Sequence, residues 1–235
     1  MPGTGRMLLV RHGEATPRQL GWMSAAHEAG LLLDVASDRA VDGADRLHVV
    51  PDLGVANVAP GPGPIDATQA LALTRAVRDA DPTLGPAGLW QVALERWFGA
   101  RDDDFDVVVL TGPPTGFFGF GAFAARHWYA RVVIDHSDHA PWPDGEAGDL
   151  ARDWERGWAL AADSVVVADP ELLAVVTPSG PDTTVEVVAA DAMAPLLVGL
   201  ADHTFTHPIS PDKHRTLAPR PAERSTNACF GMAVG

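Results

Sequence analysis

Residues 106–144 read DVVVLTGPPTGFFGFGAFAARHWYARVVIDHSDHAPWPD, and this stretch decides the fold. An apolar run at 106–110 predicts a buried strand, the residues at 115–128 predict a helix, and a second apolar run at 131–135 predicts another strand. A strand, a helix and a strand in this order form a crossover unit with parallel strands. The carboxyl ends of both strands then lie at one edge of the sheet, where the polar residues cluster.

The same alternation continues on both sides of this unit. Further strands are predicted at 7–11, 31–37, 47–50, 164–168 and 184–188, and helices at 17–29, 67–80, 86–99, 150–162, 170–176 and 191–201. Gly30 is expected to end the first helix, and the Pro- and Gly-rich segment 51–66 is predicted to be a surface loop without regular structure. The fold class is therefore α/β, a Rossmann-like doubly wound parallel sheet of about six to seven strands.

The length of 235 residues suits one large α/β domain or two small ones. Residues 1–201 are predicted to form a single domain of this class. Beyond residue 202 the apolar periodicity fades and prolines recur, so 202–235 is predicted to be an irregular tail.

Charge and composition exclude several kinds of partner. The chain carries 17 Lys and Arg against 31 Asp and Glu, a formal net charge of −14, which argues against nucleic-acid and anionic-membrane binding. No apolar run approaches the roughly 20 residues needed to span a bilayer, and the N-terminus lacks the apolar core of a signal peptide. With the single cysteine Cys229 no internal disulfide is possible, so a cytoplasmic location is expected.

A short motif at 8–14, LLVRHGE, resembles the opening motif of the histidine phosphatase and phosphoglycerate mutase superfamily. In that family a His that follows a strand attacks a phosphoryl group and an Arg neutralises the phosphate oxygens. The resemblance implies that His12 is a nucleophile and Arg11 a phosphate clamp. The family's second His motif has no counterpart after a strand-like run here, so this function is retained as the alternative.

A longer stretch, 104–176, resembles the N-terminal, acceptor-side domain of GT-B glycosyltransferases of the family 4 type. The similarity runs through TGPP at 111–114, the pair Ser137-Asp138, PWPD at 141–144 and AADSVV at 161–166. It implies a Rossmann-like domain that binds a sugar acceptor, with a nucleotide-sugar as co-substrate, no other cofactor and no metal. Because no second alternation of strands and helices follows residue 188, the donor domain is expected to be missing from this sequence or to be a separate chain.

The candidate site residues follow the predicted strands at their carboxyl ends. Asp138 and His136 are predicted to be catalytic, because carboxylates and imidazoles hold sugar hydroxyls and move the acceptor proton. The predicted substrate-binding residues are His12, Gly13, Glu14, Thr111, Gly112, Pro113, His139 and Trp142. The turn at 111–116 is expected to offer free backbone N–H groups to a phosphate or a sugar hydroxyl.

Structural roles for these residues stay open beside the functional ones. Asp138 and His136 would serve equally to cap the following loop, and Trp142 to pack against it. Three functions are therefore carried forward: the acceptor-side half of a glycosyltransferase, a non-catalytic binding module of the same fold, and phosphoryl transfer through His12. The composition, rich in Ala, Gly, Pro, Asp and Arg, is typical of a GC-rich bacterial genome, and the glycosyltransferase resemblance implies polysaccharide or glycolipid assembly.

Overall fold

The computed structural model describes residues 5–50, 60–61, 63–64, 85–113, 115–137, 145, 152, 155–160, 162–174, 176 and 185–204. The strands are β1 (Arg6–Arg11), β2 (Leu32–Ser37), β3 (Arg46–Val49), β4 (Pro60–Gly61), β5 (Gly63–Pro64), β6 (Val107–Gly112), β7 (Arg131–His136), β8 (Ser164–Val167) and β9 (Val185–Val187). The helices are α1 (Pro17–Glu28), α2 (Gly85–Gly99), α3 (Phe120–His127) and α4 (Met193–Thr204), with 3-10 turns at Pro170–Ala174 and Ala190–Ala192. Residues 155–160 are also helical.

Seven of these strands form one parallel sheet in the order β3-β2-β1-β6-β7-β8-β9. Every neighbouring pair in it runs parallel. Such a sheet must be covered by helices on both faces, which is the doubly wound arrangement. The predicted α/β fold class, with a Rossmann-like sheet and a single domain, is confirmed.

The two faces of the sheet bury two separate apolar cores because side chains alternate along each strand. On β1, Met7 and Leu9 join the core that α1 and α4 cover. Their neighbours Leu8 and Val10 point to the opposite face and pack with the aromatic side chains of α2 and α3. All four are fully buried, so the central strand is apolar on both sides, as its uninterrupted apolar sequence indicates.

Local signals explain where α1 begins and ends. Thr16 caps the helix and forms a reciprocal capping box with Gln19, while Pro17 occupies the first turn. At the other end Gly30 adopts a positive φ of 72°, and its N–H donates to the carbonyl of His27. The predicted stop at Gly30 is confirmed.

Four local predictions are wrong or fall outside the described residues. Within the predicted irregular segment 51–66, Pro60–Gly61 and Gly63–Pro64 form a small antiparallel pair. The helix predicted for 115–128 begins only at Phe120, since residues 116–119 form a turn. The helix predicted for 67–80 and the tail beyond residue 204 lie outside the described residues.

Candidate functional site at the carboxyl edge

The sheet order places a switch point between β1 and β6. These strands are neighbours, with Arg11 opposite Thr111 at their carboxyl ends. The chain leaves β1 towards β2 on one side and leaves β6 towards β7 on the other, so the two following loops diverge. In open α/β sheets a crevice forms at such a point, and ligands bind there. The predicted site residues of the first and sixth strands therefore flank one crevice.

The loop after β1 is fixed to the loop after β2. Gly13 has a φ of 82°, and its N–H donates to Asp38 Oδ1 at 2.8 Å. Arg39 donates to Asp38 Oδ2 at 2.9 Å and to Glu14 Oε1 at 2.5 Å. A Cβ at Gly13 would meet no atom within 4 Å, so the backbone of this loop borders open space. The three contacts make this wall of the crevice preformed.

The carboxylate of Asp38 is held in its charged form. Burial opposes its ionisation, but hydrogen bonds from Arg39 and from the Gly13 N–H, together with the nearby His12, keep its pKa below the ordinary value. The same hydrogen bond to Asp38 raises the pKa of Arg39. The mouth of the crevice thus carries one cation between two carboxylates, those of Asp38 and Glu14.

Arg11 does not face the crevice. Its side chain is among the largest that are fully buried, with 1% of its surface exposed. Its Nε donates to Gln19 Oε1 at 3.1 Å and its terminal nitrogen donates to the Gly13 carbonyl, while burial lowers its pKa. A guanidinium in this position stabilises the loop after β1 from the protein interior. It cannot reach a phosphate, so the interpretation of Arg11 as a phosphate clamp is wrong.

A chain of aromatic rings connects the two predicted histidines. His12 packs edge-on against Trp90 with ring centroids 5.1 Å apart, and Trp90 contacts Phe117 at the same distance. Phe118 then contacts Phe117 and His136, each at 5.3 Å. The rings form the floor beneath the carboxyl edge and fix the imidazoles of His12 and His136 at its two ends.

Asp135 joins four parts of the chain at the same edge. Its buried carboxylate accepts a pair of hydrogen bonds from Arg18, at 2.8 and 2.6 Å, and one from Trp22 Nε1 at 2.8 Å. Thr111 Oγ1 donates to it at 3.1 Å. Arg18 also donates to the carbonyl of Val188 at 2.7 Å. Every acceptor position of this carboxylate is therefore used in holding α1, β6 and β7 together.

Sequence reasoning missed Arg18 and Trp22. Their four-residue spacing places both on one face of α1, but that face also carries buried apolar residues. A buried arginine on an apolar face of a helix signals a carboxylate opposite. The sequence does not show which one, since Asp135 lies 117 residues away.

Four amides that follow the turn after β6 are occupied within the chain. The N–H groups of Phe118, Phe120, Gly121 and Ala122 donate to carbonyls three residues earlier. These four residues lie beyond the turn at 111–116, for which the expectation of free amides stays a prediction. Pro113 is exposed after a cis peptide bond.

The remaining polar groups of this loop bind β7. The Gly112 carbonyl accepts hydrogen bonds from the N–H and the hydroxyl of Ser137. Thr111 is buried and donates to Asp135. The substrate-binding roles of Thr111, Gly112 and Pro113 stay predictions.

His136 is the predicted catalytic residue that the structure describes. It ends β7, is 2% exposed, and its Nε2 lies 3.7 Å from Glu155 Oε1. The two border a cavity of about 10 Å³, which has room for one water molecule. Phe118 and Trp158 form part of its apolar wall, so a sugar must bind outside this cavity.

The other three predicted residues of this loop, Asp138, His139 and Trp142, lie outside the described residues. Within the described ranges no group of three or more His, Cys, Asp or Glu side chains is arranged to hold a metal ion. Across the same ranges, no helix has both the length and the apolar character required to cross a bilayer.

No protein-family model and no curated protein matches the chain. Among solved structures it is similar to a sucrose-phosphate synthase from Thermosynechococcus elongatus, at 10% sequence identity and a TM-score of 0.52 over 86% of this chain and 99% of that chain. Matches also include a protein described as an epimerase from Burkholderia cenocepacia, with 12% identity over 85% of this chain and 82% of that one, but its TM-score of 0.27 is too low to support an argument. At 10% identity, the first similarity shows the fold alone, a Rossmann-like parallel sheet covered by helices.

Proposed function

We propose that the chain is the acceptor-side half of a GT-B glycosyltransferase, of the family 4 type, and that it binds a sugar acceptor at the carboxyl edge. The observation that carries the proposal is the preformed crevice between β1 and β6, in a sheet that matches almost the whole of a sucrose-phosphate synthase chain. A second domain, on the same or a separate chain, would bind the nucleotide-sugar. The resemblance of residues 104–176 to this family supports the same function.

The geometry suits an acceptor with several hydroxyl groups. The backbone beside Gly13 borders open space, and the imidazole of His12 and the carboxylate of Glu14 flank it. Imidazole and carboxylate groups accept and donate hydrogen bonds in the way sugar hydroxyls require. The contacts of Gly13 with Asp38 and of Arg39 with Glu14 fix this wall before the ligand arrives, which limits the ordering cost of binding.

The transfer itself needs a group that takes the acceptor proton. The acceptor oxygen bonds to the anomeric carbon, the bond from that carbon to the diphosphate breaks, and the hydroxyl proton must leave. We assign this proton to Asp138, or to His136 through the one water molecule for which the cavity beside its imidazole has room, since the sequence predicts these two residues. The carboxylate of Glu155, 3.7 Å from His136 Nε2, would stabilise the imidazolium that forms.

Binding is tested first, without a donor domain. A ¹⁵N-labelled chain is titrated with neutral mono- and disaccharides, and the amide signals of Gly13, Gly112 and Ser137 are followed by NMR. These three signals are expected to shift together. The matched control is the amide of Glu28, which ends α1 at the opposite edge of the sheet. Shifts confined to Glu28 and its neighbours, or no shift at all, would contradict the proposed site.

Transfer is tested with the native second domain, encoded by the same gene or a neighbouring one. A radiolabelled nucleotide-sugar is supplied with the acceptor found by NMR, and the labelled product is counted. His136→Ala and Asp138→Ala are each expected to lower kcat by about 100-fold or more, because a positioned acid or base contributes about 10²–10⁴-fold. Glu28→Gln is the control and should leave the rate unchanged. Unchanged turnover in either histidine or aspartate variant removes that residue from the assignment.

A further inference from the structure

We propose that the acceptor bound at the carboxyl edge is an uncharged polyhydroxyl compound, and that phosphorylated acceptors are excluded. This inference rests on the proposed function and adds the substrate class to it. Proteins bind a phosphate through arginine or lysine side chains or through the amides at a helix N-terminus. At this edge the described arginine side chains, and several of the amides near the helix starts, are already engaged within the chain.

Two of the edge arginines are buried in internal contacts. Arg11 is bound to Gln19 and to the Gly13 carbonyl. Arg18, with 12% of its side chain exposed, donates to Asp135 and to the Val188 carbonyl. Neither can turn towards a phosphate without breaking a buried hydrogen bond, and breaking one in a buried ion pair is costly.

The third arginine is accessible but neutralised. The side chain of Arg39 is 46% exposed and lies between two carboxylates, those of Asp38 and Glu14. A phosphate approaching Arg39 therefore meets two negative charges with one positive charge. Arg152 and Arg156, on the helical segment beside Glu155, are likewise engaged in contacts within the chain.

Several amides near the starts of α1 and α3 are occupied as well. In α1, the N–H of Gln19 donates to Thr16 Oγ1, and Pro17 has no N–H to offer. In the turn that leads to α3, the N–H groups of Phe118, Phe120 and Gly121 donate to nearby carbonyls. These amides are therefore not available to a phosphate.

The charge that remains at the edge is negative. The side chain of Glu14 is 90% exposed. Asp38 adds a second carboxylate beside it, and Arg39 balances only one of the two negative charges. Hydroxyl groups can bind carboxylates and imidazoles directly, whereas a phosphate is repelled by them. An uncharged acceptor is therefore favoured over its phosphorylated form.

The inference is tested with matched pairs of sugars. Glucose and glucose 6-phosphate, fructose and fructose 6-phosphate, and mannose and mannose 6-phosphate are titrated at low ionic strength, with the Gly13 and Gly112 amides followed by NMR. The neutral member of a pair is expected to bind at least about tenfold more tightly than its phosphate. Equal or tighter binding of any phosphorylated member at these amides overturns the inference but leaves the proposed function intact. If no sugar of either kind shifts these amides, the proposed function fails and the inference fails with it.

A variant tests the cause directly with inorganic phosphate as the probe. In Glu14→Gln/Asp38→Asn, Arg39 loses both charged partners, while the amide oxygen at position 38 can still accept the Gly13 N–H. The double variant is expected to bind phosphate at least about tenfold more tightly than the wild type. Circular dichroism and melting temperature establish that it is folded. Phosphate binding by the wild type at these amides, or no gain in the folded double variant, overturns the inference.

Discussion

Replacing Asp135 by Asn tests whether the carboxyl edge depends on one buried ion pair. Asp135 is fully buried and accepts hydrogen bonds from Arg18, Trp22 and Thr111. Asn keeps the shape and one acceptor oxygen, but it removes the charge opposite Arg18. An uncompensated buried cation remains, so we expect the free energy of unfolding to fall by about 3–5 kcal/mol. A domain of this size is commonly stable by about 5–15 kcal/mol, so the variant should still fold.

The measurement is urea unfolding followed by tryptophan fluorescence and circular dichroism at pH 7. The control is Asp102→Asn, an exposed carboxylate, which should change the free energy of unfolding by less than about 0.5 kcal/mol. A double-mutant cycle with Arg18→Met isolates the pair. We expect the free energy of unfolding of the double variant to fall by at least about 1 kcal/mol less than the sum of the two single losses. The reason is that Arg18→Met removes the cation that Asp135→Asn leaves without a counter-charge.

Two results would refute this reasoning. A loss below about 1 kcal/mol in Asp135→Asn would show that the pair is solvated in solution and not buried as the structure has it. Losses that add within about 0.5 kcal/mol would show that Arg18 and Asp135 do not interact. Either outcome would also remove the support that this network gives to the position of β7 and of His136 at its end.

Three further predictions concern pH, the loop after β1 and the alternative function. Burial raises the pKa of Asp34, but hydrogen bonds from His48 and Arg6 outweigh that effect and place the pKa below its ordinary value. The stability that this carboxylate contributes is therefore present above about pH 4 and is lost as the pH falls. Between about pH 6 and 3, the urea midpoint should fall more steeply for the wild type than for Asp34→Asn. Gly13→Ala should lower the free energy of unfolding by about 1–2 kcal/mol, because Gly13 has a positive φ. Gly157→Ala should raise it by up to about 1 kcal/mol, because Gly157 lies in a helical segment with open space around it. Equal effects of the two variants in urea unfolding would contradict the loop geometry. Incubation with ³²P-labelled acetyl phosphate should leave the wild type unlabelled, since Arg11 is buried, and acid-labile label that disappears in His12→Ala would revive the phosphoryl-transfer function.

The sheet was predictable from the sequence because its strands are buried on both faces. Runs such as VVVL at 107–110 are apolar without alternation, and only a parallel central strand is buried in that way. The positions of His12 and His136 at one edge follow from the same argument, since parallel strands bring their carboxyl ends together. Helix ends with a local signal, such as the cap at Thr16 and the glycine at 30, were predictable for the same reason: their cause lies within a few residues.

The contacts that shape the crevice were not predictable, because they depend on partners far away in the chain. The sequence shows that Arg11 follows a strand, but the acceptor of its Nε is Gln19 on the next helix. The sequence predicts a helix over 115–128, but residues 116–119 form a turn. In the structure Phe117 and Phe118 pack against Trp90 and His136 and hold the backbone in a turn. Tertiary packing here overrides the local pattern.

The pairing of β1 with β6 has a consequence for how the protein folds. The contacts across the centre of the sheet join residues about one hundred positions apart; the Arg6 N–H, for example, donates to Asp106 at a sequence separation of 100. Closing a loop of that length is entropically costly and slow relative to forming the local crossover units. The first three strands with α1 and the later strands with α3 can each assemble locally, but the crevice between them exists only after the two halves join. A ligand that binds there reports the completed central pairing, and neither half of the chain can form the site alone.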